Sequence, residues 1–151
     1  MRKVALEEHF TTPGLSRYAV GPKSSLASSF FGRFEERLLE FGELRLQAMD
    51  NAGIEVAVLS VTTPGVQAEK DTGVAIKLAR EANDFLAGQI EKQPARYAGF
   101  AHLPMQDADA AANELERCVR ELRFKAPLGS RKTFLDLLGA SSRFAMTYHT
   151  P

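Results

Sequence analysis

The chain has 151 residues, 44% hydrophobic and 25% charged, which is enough for one soluble globular domain with a real core. Its 19 basic residues balance 19 acidic ones, which argues against nucleic acid or an anionic membrane as a partner. No apolar run approaches the roughly 18 residues needed to span a bilayer. Met1-Arg2-Lys3-Val4 runs straight into a strand pattern, which reads as no signal peptide, and the single Cys118 excludes an internal disulfide, so a reducing cytoplasm is the expected compartment.

Val4 to His9 predicts a short strand. Residues 11–33 follow, rich in Thr, Pro, Gly and Ser, with Pro13-Gly14, Gly21-Pro22 and Ser24-Ser25. The stretch reads as a loop or lid, longer than ordinary connections, and such loops are often functional. Residues 34–51 carry Leu38, Phe41, Leu44, Ala48 and Met49 in helical spacing, with Gly53 as a stop. Glu55 to Val61 is a β-branched run and predicts a buried strand, ended by Thr62-Thr63-Pro64-Gly65.

Val74, Leu78, Ala82, Phe85, Leu86 and Ile90 recur at three- and four-residue steps and predict a helix over 72–92, with Pro94 beyond it. Tyr97 to Leu103 predicts a third strand, closed by Pro104. Asp107 is a good N-cap for a helix reaching about residue 122. Cys118 lies on that helix's apolar side, where a buried small hydrophobe is the preferred reading over a reactive thiol. Phe124 to Leu128, interrupted by Pro127, reads as a weak fourth unit. Thr133 to Leu138 reads as a short helix, ended by Gly139, and Phe144 to His149 as a last strand.

Alternating strands and helices predict an α/β fold with a parallel sheet and outer helices. Two architectures satisfy the pattern, a doubly wound sheet and a piece of a (β/α)8 barrel. The absence of G-x-G-x-x-G after the first strand weakens the dinucleotide-binding version.

In barrels the chemistry sits at the C-terminal ends of strands. The first strand ends in Glu7 and His9, the third in His102 and the last in His149, so all three histidines of the chain lie at such ends. Residues i and i+2 of a strand share a face, about 7 Å apart. By simple alternation Ala5, Glu7 and His9 share one face, and Val4, Leu6 and Glu8 the other. Glu7 and His9 then present a carboxylate and an imidazole together, a pair suited to zinc, manganese or iron. His149 is a third candidate ligand. His102 reads as a polar residue satisfied at a strand end, with a substrate-binding or ligand-supporting role as the alternative. Pro64 and Gly65 are either a simple turn or a wall for substrate. Glu8 reads as a solvated or helix-facing charge.

The run from Lys3 to Phe10, with Glu7-Glu8-His9 at its centre, resembles the opening of the amidohydrolase-related, metal-dependent decarboxylases, and most nearly the γ-resorcylate and 2,3-dihydroxybenzoate decarboxylases. Leu59-Ser60 with Pro64-Gly65-Val66-Gln67 resembles the second strand and loop of that family. Ala82-Asn83-Asp84, Pro94-Ala95-Arg96-Tyr97, Phe100 to Asp107 and Glu114 to Val119 continue the likeness to about residue 125. The resemblance implies a (β/α)8 TIM barrel with one divalent metal, zinc or manganese. Glu7, His9 and His149 map to ligands, and the substrate is a small hydroxylated aromatic carboxylate. The implied reaction is a non-oxidative decarboxylation in which the metal holds the carboxylate and a neighbouring phenolic oxygen while a proton reaches the ring carbon.

Two departures shape the expectation. Phe124 to Thr133 is shorter than the family's equivalent. The family's later strands, which carry an aspartate ligand and a further active-site histidine, have no counterpart in this sequence, and a full barrel takes about 250 residues. The expectation is therefore a truncated barrel domain over 1–151, roughly its first half, weak or inactive alone, with the loop 11–33 over the substrate. The alternatives are a metal-dependent hydrolase of the same superfamily and a non-catalytic remnant. In either form, an exposed strand edge favours a homo-oligomer.

Overall fold

A computed structural model describes residues 3–18 and 28–124 of the chain. The predicted fourth unit beyond Phe124, the helix over 133–138 and the strand carrying His149 lie outside the described residues.

The elements in order are strand β1 (Val4–Phe10), helices α1 (Ser28–Leu39) and α2 (Glu43–Ala52), strand β2 (Val56–Val61), helix α3 (Thr72–Lys92), strand β3 (Tyr97–Gly99) and helix α4 (Ala108–Arg120). The strands form a parallel sheet in the order β1-β2-β3. This is the consecutive order of a barrel wall, and helices connect each strand to the next.

β2 lies in the middle, and Ala57, Val58, Leu59, Ser60 and Val61 are all buried. A continuous apolar run of this kind is what a parallel strand covered on both faces requires. α3 packs against β3 and α4. Its buried residues Ala75, Leu78, Ala79, Ala82 and Leu86 recur at helical spacing, and the small alanines allow close approach. Asp71 caps α3 by accepting from the Val74 N–H at 2.9 Å, and Asp107 caps α4 by accepting from the Ala110 N–H at 2.8 Å. Each carboxylate satisfies an amide that the first helical turn leaves unpaired.

An aromatic knot joins the sheet, helix α3 and the linker between α1 and α2. Phe10 of β1 meets Phe41 edge-on with ring centroids 5.5 Å apart. Phe41 in turn meets Phe85 of α3 at 5.6 Å and Tyr97 of β3 at 6.0 Å. The Tyr97 hydroxyl donates to the Phe41 carbonyl at 2.8 Å, so this buried polar tip is satisfied.

Four expectations need correction. The helix predicted over 34–51 is two helices, because Glu40-Phe41-Gly42 turns the chain and Glu40 uses its side chain to start α2. The segment 11–33 is not one loop. Ser16–Tyr18 form a 3-10 turn, α1 begins at Ser28, and Thr11, Thr12 and Leu15 are buried. The third strand stops at Gly99 rather than Leu103, with one further bond from the Phe100 N–H to the Leu59 carbonyl.

The fourth concerns β1. Ala5 pairs with Ala57 and Glu8 with Leu59, so three steps along β1 run against two along β2. Register partners in parallel strands share a face. Ala5 therefore lies on the Ala57–Leu59 face and His9 on the Ser60 face, contrary to simple alternation. An irregularity of this kind re-aims the residues after it.

Candidate active site

His9 stands at the C-terminal end of β1, directly beside Ser60 of β2. Its Nδ1 lies 3.2 Å from the Ser60 hydroxyl. Ser60 is 2% exposed while His9 is exposed, so a buried hydroxyl anchors one side of a ring whose other side is open. Nε2 carries no hydrogen bond among the described residues. A histidine ligand characteristically has its second nitrogen held in this way, which fixes ring orientation and tautomer. The main chain of His9 is held as well, through its carbonyl, which accepts from Arg45 Nη2 at 3.1 Å.

The Glu7 main chain lies in β1, two residues before His9. Its carboxylate, like His149, lies outside the described groups. Among the described residues no set of three His, Cys, Asp or Glu side chains gathers into a metal-binding cluster. His9 nevertheless fits a metal by its own geometry, with an anchored Nδ1 and an open Nε2. Glu8 is exposed and its charge acts on Arg45, in keeping with a helix-facing residue.

The other sequence candidates form a second assembly, at the ends of β2 and β3. The Val66 N–H donates to His102 Nε2 at 3.0 Å. Nε2 is therefore unprotonated, and the proton of the neutral ring is on Nδ1. Burial pushes the His102 pKa down to about 4. Gly65 lies against this ring with φ 54°, and a Cβ there would fall 2.6 Å from Nε2. Both its backbone angle and the contact call for glycine. Pro64 precedes it through a cis bond from Thr63. The two loops are stitched further by Gln106 Nε2, which donates to the Val66 and Glu69 carbonyls at 2.5 and 2.9 Å. Gln67 Nε2 returns a bond to the Leu103 carbonyl at 2.8 Å.

Behind His102 lies a buried polar network. The Asn83 amide brackets the His102 main chain, donating to its carbonyl at 2.9 Å and accepting from its N–H at 2.9 Å. Asn83 also donates to Glu114 at 2.8 Å. Arg117 grips Glu114 with two bonds, at 2.9 and 2.7 Å, and reaches Asp84 at 2.7 Å. Burial works to raise the Glu114 pKa, but the bonds from Arg117 and Asn83 outweigh it and hold the carboxyl below its ordinary value. Cys118 is wholly buried beside Glu114, and burial pushes its thiol far above the usual range, so it is no nucleophile.

The structure thus brings Pro64, Gly65 and His102 together as one knot and leaves His9 in a separate anchorage with Ser60. Reading by residue type singled out none of Ser60, Arg45 or Glu114. Ser60 had a signal, as the sole hydroxyl within the apolar run of β2. Arg45 and Glu114 had none, since both sit among charged residues in helical sequence.

Residues 32–135 match the family model described as amidohydrolase. A γ-resorcylate decarboxylase from Polaromonas sp. (strain JS666 / ATCC BAA-500) is 47% identical over 126 residues, which are 83% of this chain and 38% of that protein. The crystal structure of a dihydroxybenzoic acid decarboxylase from Polaromonas sp. JS666, with bound manganese and the inhibitor 2-nitroresorcinol, superposes with a TM-score of 0.76 at 47% identity, covering 83% of this chain and 37% of that one. A 2,6-dihydroxybenzoate decarboxylase complexed with 2,6-dihydroxybenzoate superposes with a TM-score of 0.78 at 43% identity, covering 84% and 38%. The chain spans about 38% of the length of the γ-resorcylate decarboxylases it matches. The parallel strands and outer helices are thus part of a TIM barrel, and the chain belongs to the amidohydrolase family.

Proposed function

We propose that the protein acts as a metal-dependent, non-oxidative decarboxylase of hydroxylated aromatic acids, with 2,6-dihydroxybenzoate as the model substrate and Glu7, His9 and His149 as metal ligands. The observation that carries this reading is His9 itself. It is a strand-end imidazole anchored at Nδ1 by a buried serine and open at Nε2. The chain around it is 47% identical to a γ-resorcylate decarboxylase, and a related structure holds manganese.

A divalent ion held there, manganese or zinc, would supply the positive charge that binds the acid's oxygens and accommodates charge developing on the ring. The chain's own residues act around it. Ser60 and Arg45 hold the His9 ring and main chain, so the ligand atom needs little reorganisation. The Pro64-Gly65 turn, braced by His102, forms a rigid wall for the flat substrate. The turn Ser16–Tyr18 docks beside this wall, since Tyr18 donates to Glu69 and Arg17 Nη2 lies 3.4 Å from the same carboxylate.

Manganese binding followed by electron paramagnetic resonance tests the reading. One ion per chain is expected, with loss of at least about tenfold in affinity in His9→Ala. Carbon dioxide release from 2,6-dihydroxybenzoate is expected to be slow and to require manganese or zinc. A wild-type chain that takes up no metal, or turnover that persists in full after chelation, would overturn it.

A further inference from the structure

We propose that Arg45 is a positioning residue for His9, fixing the strand end from which the imidazole is presented; the proposal rests on His9 being a metal ligand. Its guanidinium hydrogen bonds among the described residues all end on main-chain carbonyls. They run from Nη2 to His9 at 3.1 Å and to Arg37 at 3.0 Å, and from Nε to Glu40 at 2.7 Å. One planar group thereby ties the end of β1, the last turn of α1 and the linker to α2.

The position of the His9 carbonyl explains why a side chain is needed. The Phe10 carbonyl accepts from the Thr62 N–H at 2.8 Å, toward β2. Successive carbonyls of a strand point to opposite sides. The His9 carbonyl therefore points away from β2, where no strand among the described residues offers it an N–H. Arg45 supplies that donor. The next amide on the same side, Thr11 N–H, goes to the Leu38 carbonyl at 3.1 Å. The residues of α1 and α2 thus close the edge of β1 from His9 onward.

Arg45 is itself held in place. Its own N–H donates to Glu40 Oε2 at 2.7 Å, while Oε1 of the same carboxylate takes the Gly42 N–H at 2.6 Å. A Cβ on Gly42 would lie 3.0 Å from that oxygen, so glycine leaves the carboxylate its place. The guanidinium lies 5.1 Å from the centre of the Phe41 ring, which packs on Phe10, the residue after His9. Burial lowers the Arg45 pKa, the signature of a cation withdrawn from water to serve the backbone. Lysine lacks the fork that reaches three carbonyls at once. With Ser60 on Nδ1 and Arg45 on the carbonyl, both the ring and the main chain of His9 are fixed.

The chain has three histidines, so its imidazole proton–nitrogen spectrum is simple, and His9→Ala assigns the His9 signals. In Arg45→Met the His9 resonances are expected to shift or broaden while those of His102 stay in place. Manganese affinity is expected to fall about tenfold or more, and Arg45→Lys to recover only part of it. Circular dichroism checks folding, and Arg45→Lys decides the matter if Arg45→Met does not fold. A lowered melting temperature with unchanged His9 resonances and unchanged metal affinity would mean a purely structural role and would overturn the proposal. If the wild type binds no manganese, the metal reading fails separately, and the imidazole spectrum alone decides whether Arg45 positions His9.

Discussion

His102 shows how a residue can sit where chemistry is expected and still be engaged in holding loops together. Its ring is neutral because burial opposes the charged form, and its Nε2 accepts from the Val66 N–H. The consequence for stability has a definite sign. The folded-state pKa of about 4 lies below the ordinary 6.5, so between these values the unfolded chain binds the extra proton. This contribution is complete above about pH 6.5 and is lost progressively as the pH falls to about 4, amounting to about 3 kcal/mol by the usual conversion. Urea unfolding from pH 7 down to pH 4 is expected to show a steeper loss in the wild type than in His102→Gln, which keeps an acceptor without a titrating ring. Equal slopes in the two proteins would contradict this account. The sequence favoured a satisfied histidine at this position, and its bond to Val66 agrees. It did not show that the partner would be the backbone beside Gly65, because that pairing spans 36 residues and arises only when two strand ends meet.

At the scale of elements, α3, β2 and α4 were legible nearly to the residue, since the two helices carry a helical period, α4 an aspartate cap and β2 an apolar run. The break between α1 and α2 was not legible. Hydrophobic spacing continues through it, and the turn depends on Glu40 reaching the amides of Gly42, just before α2, and of Arg45 in its first turn. The coupling of α3, α4 and the end of β3 was hidden for a similar reason. Asn83 and Glu114 are polar residues within helical sequence, yet they are 1% and 7% exposed. Asn83→Ala removes the bracket on the His102 main chain and one partner of Glu114 together, leaving buried polar groups unpaired. A loss of about 2–3 kcal/mol is expected, measured as a shift in the denaturant midpoint at pH 7. A change below about 0.5 kcal/mol would mean that water replaces the amide without cost.

At the scale of the molecule, the parallel order β1-β2-β3 and the amidohydrolase family match agree on a barrel wall with its candidate chemistry at the strand ends. Alternation of elements implied an α/β fold with a parallel sheet, and the family resemblance that opens around Glu7-Glu8-His9 and runs to about residue 125 implied the barrel. Neither revealed how His9 is supported, because Ser60 and Arg45 are 51 and 36 residues away from it. Among the described residues no helix is long and apolar enough to cross a membrane. If the proposed site binds metal in the folded chain, metal and fold are linked. Manganese at about a hundred times its dissociation constant is then expected to stabilise the wild type by about 2.7 kcal/mol. His9→Ala, at least about tenfold weaker, is expected to gain no more than about 1.4 kcal/mol at the same concentration, and thermal scans with and without chelator read this directly.

The mismatched count between β1 and β2 carries one more consequence. Three steps against two give β1 a parity, like a reading frame. Substitutions at Leu6 leave that parity intact. Removing one residue between Ala5 and Glu8 gives two steps against two, so Ala5 keeps Ala57, His9 keeps Ser60 and the irregularity disappears. The surplus residue is therefore accommodated locally, and the direction in which the histidine looks is set by its pairing with Ser60.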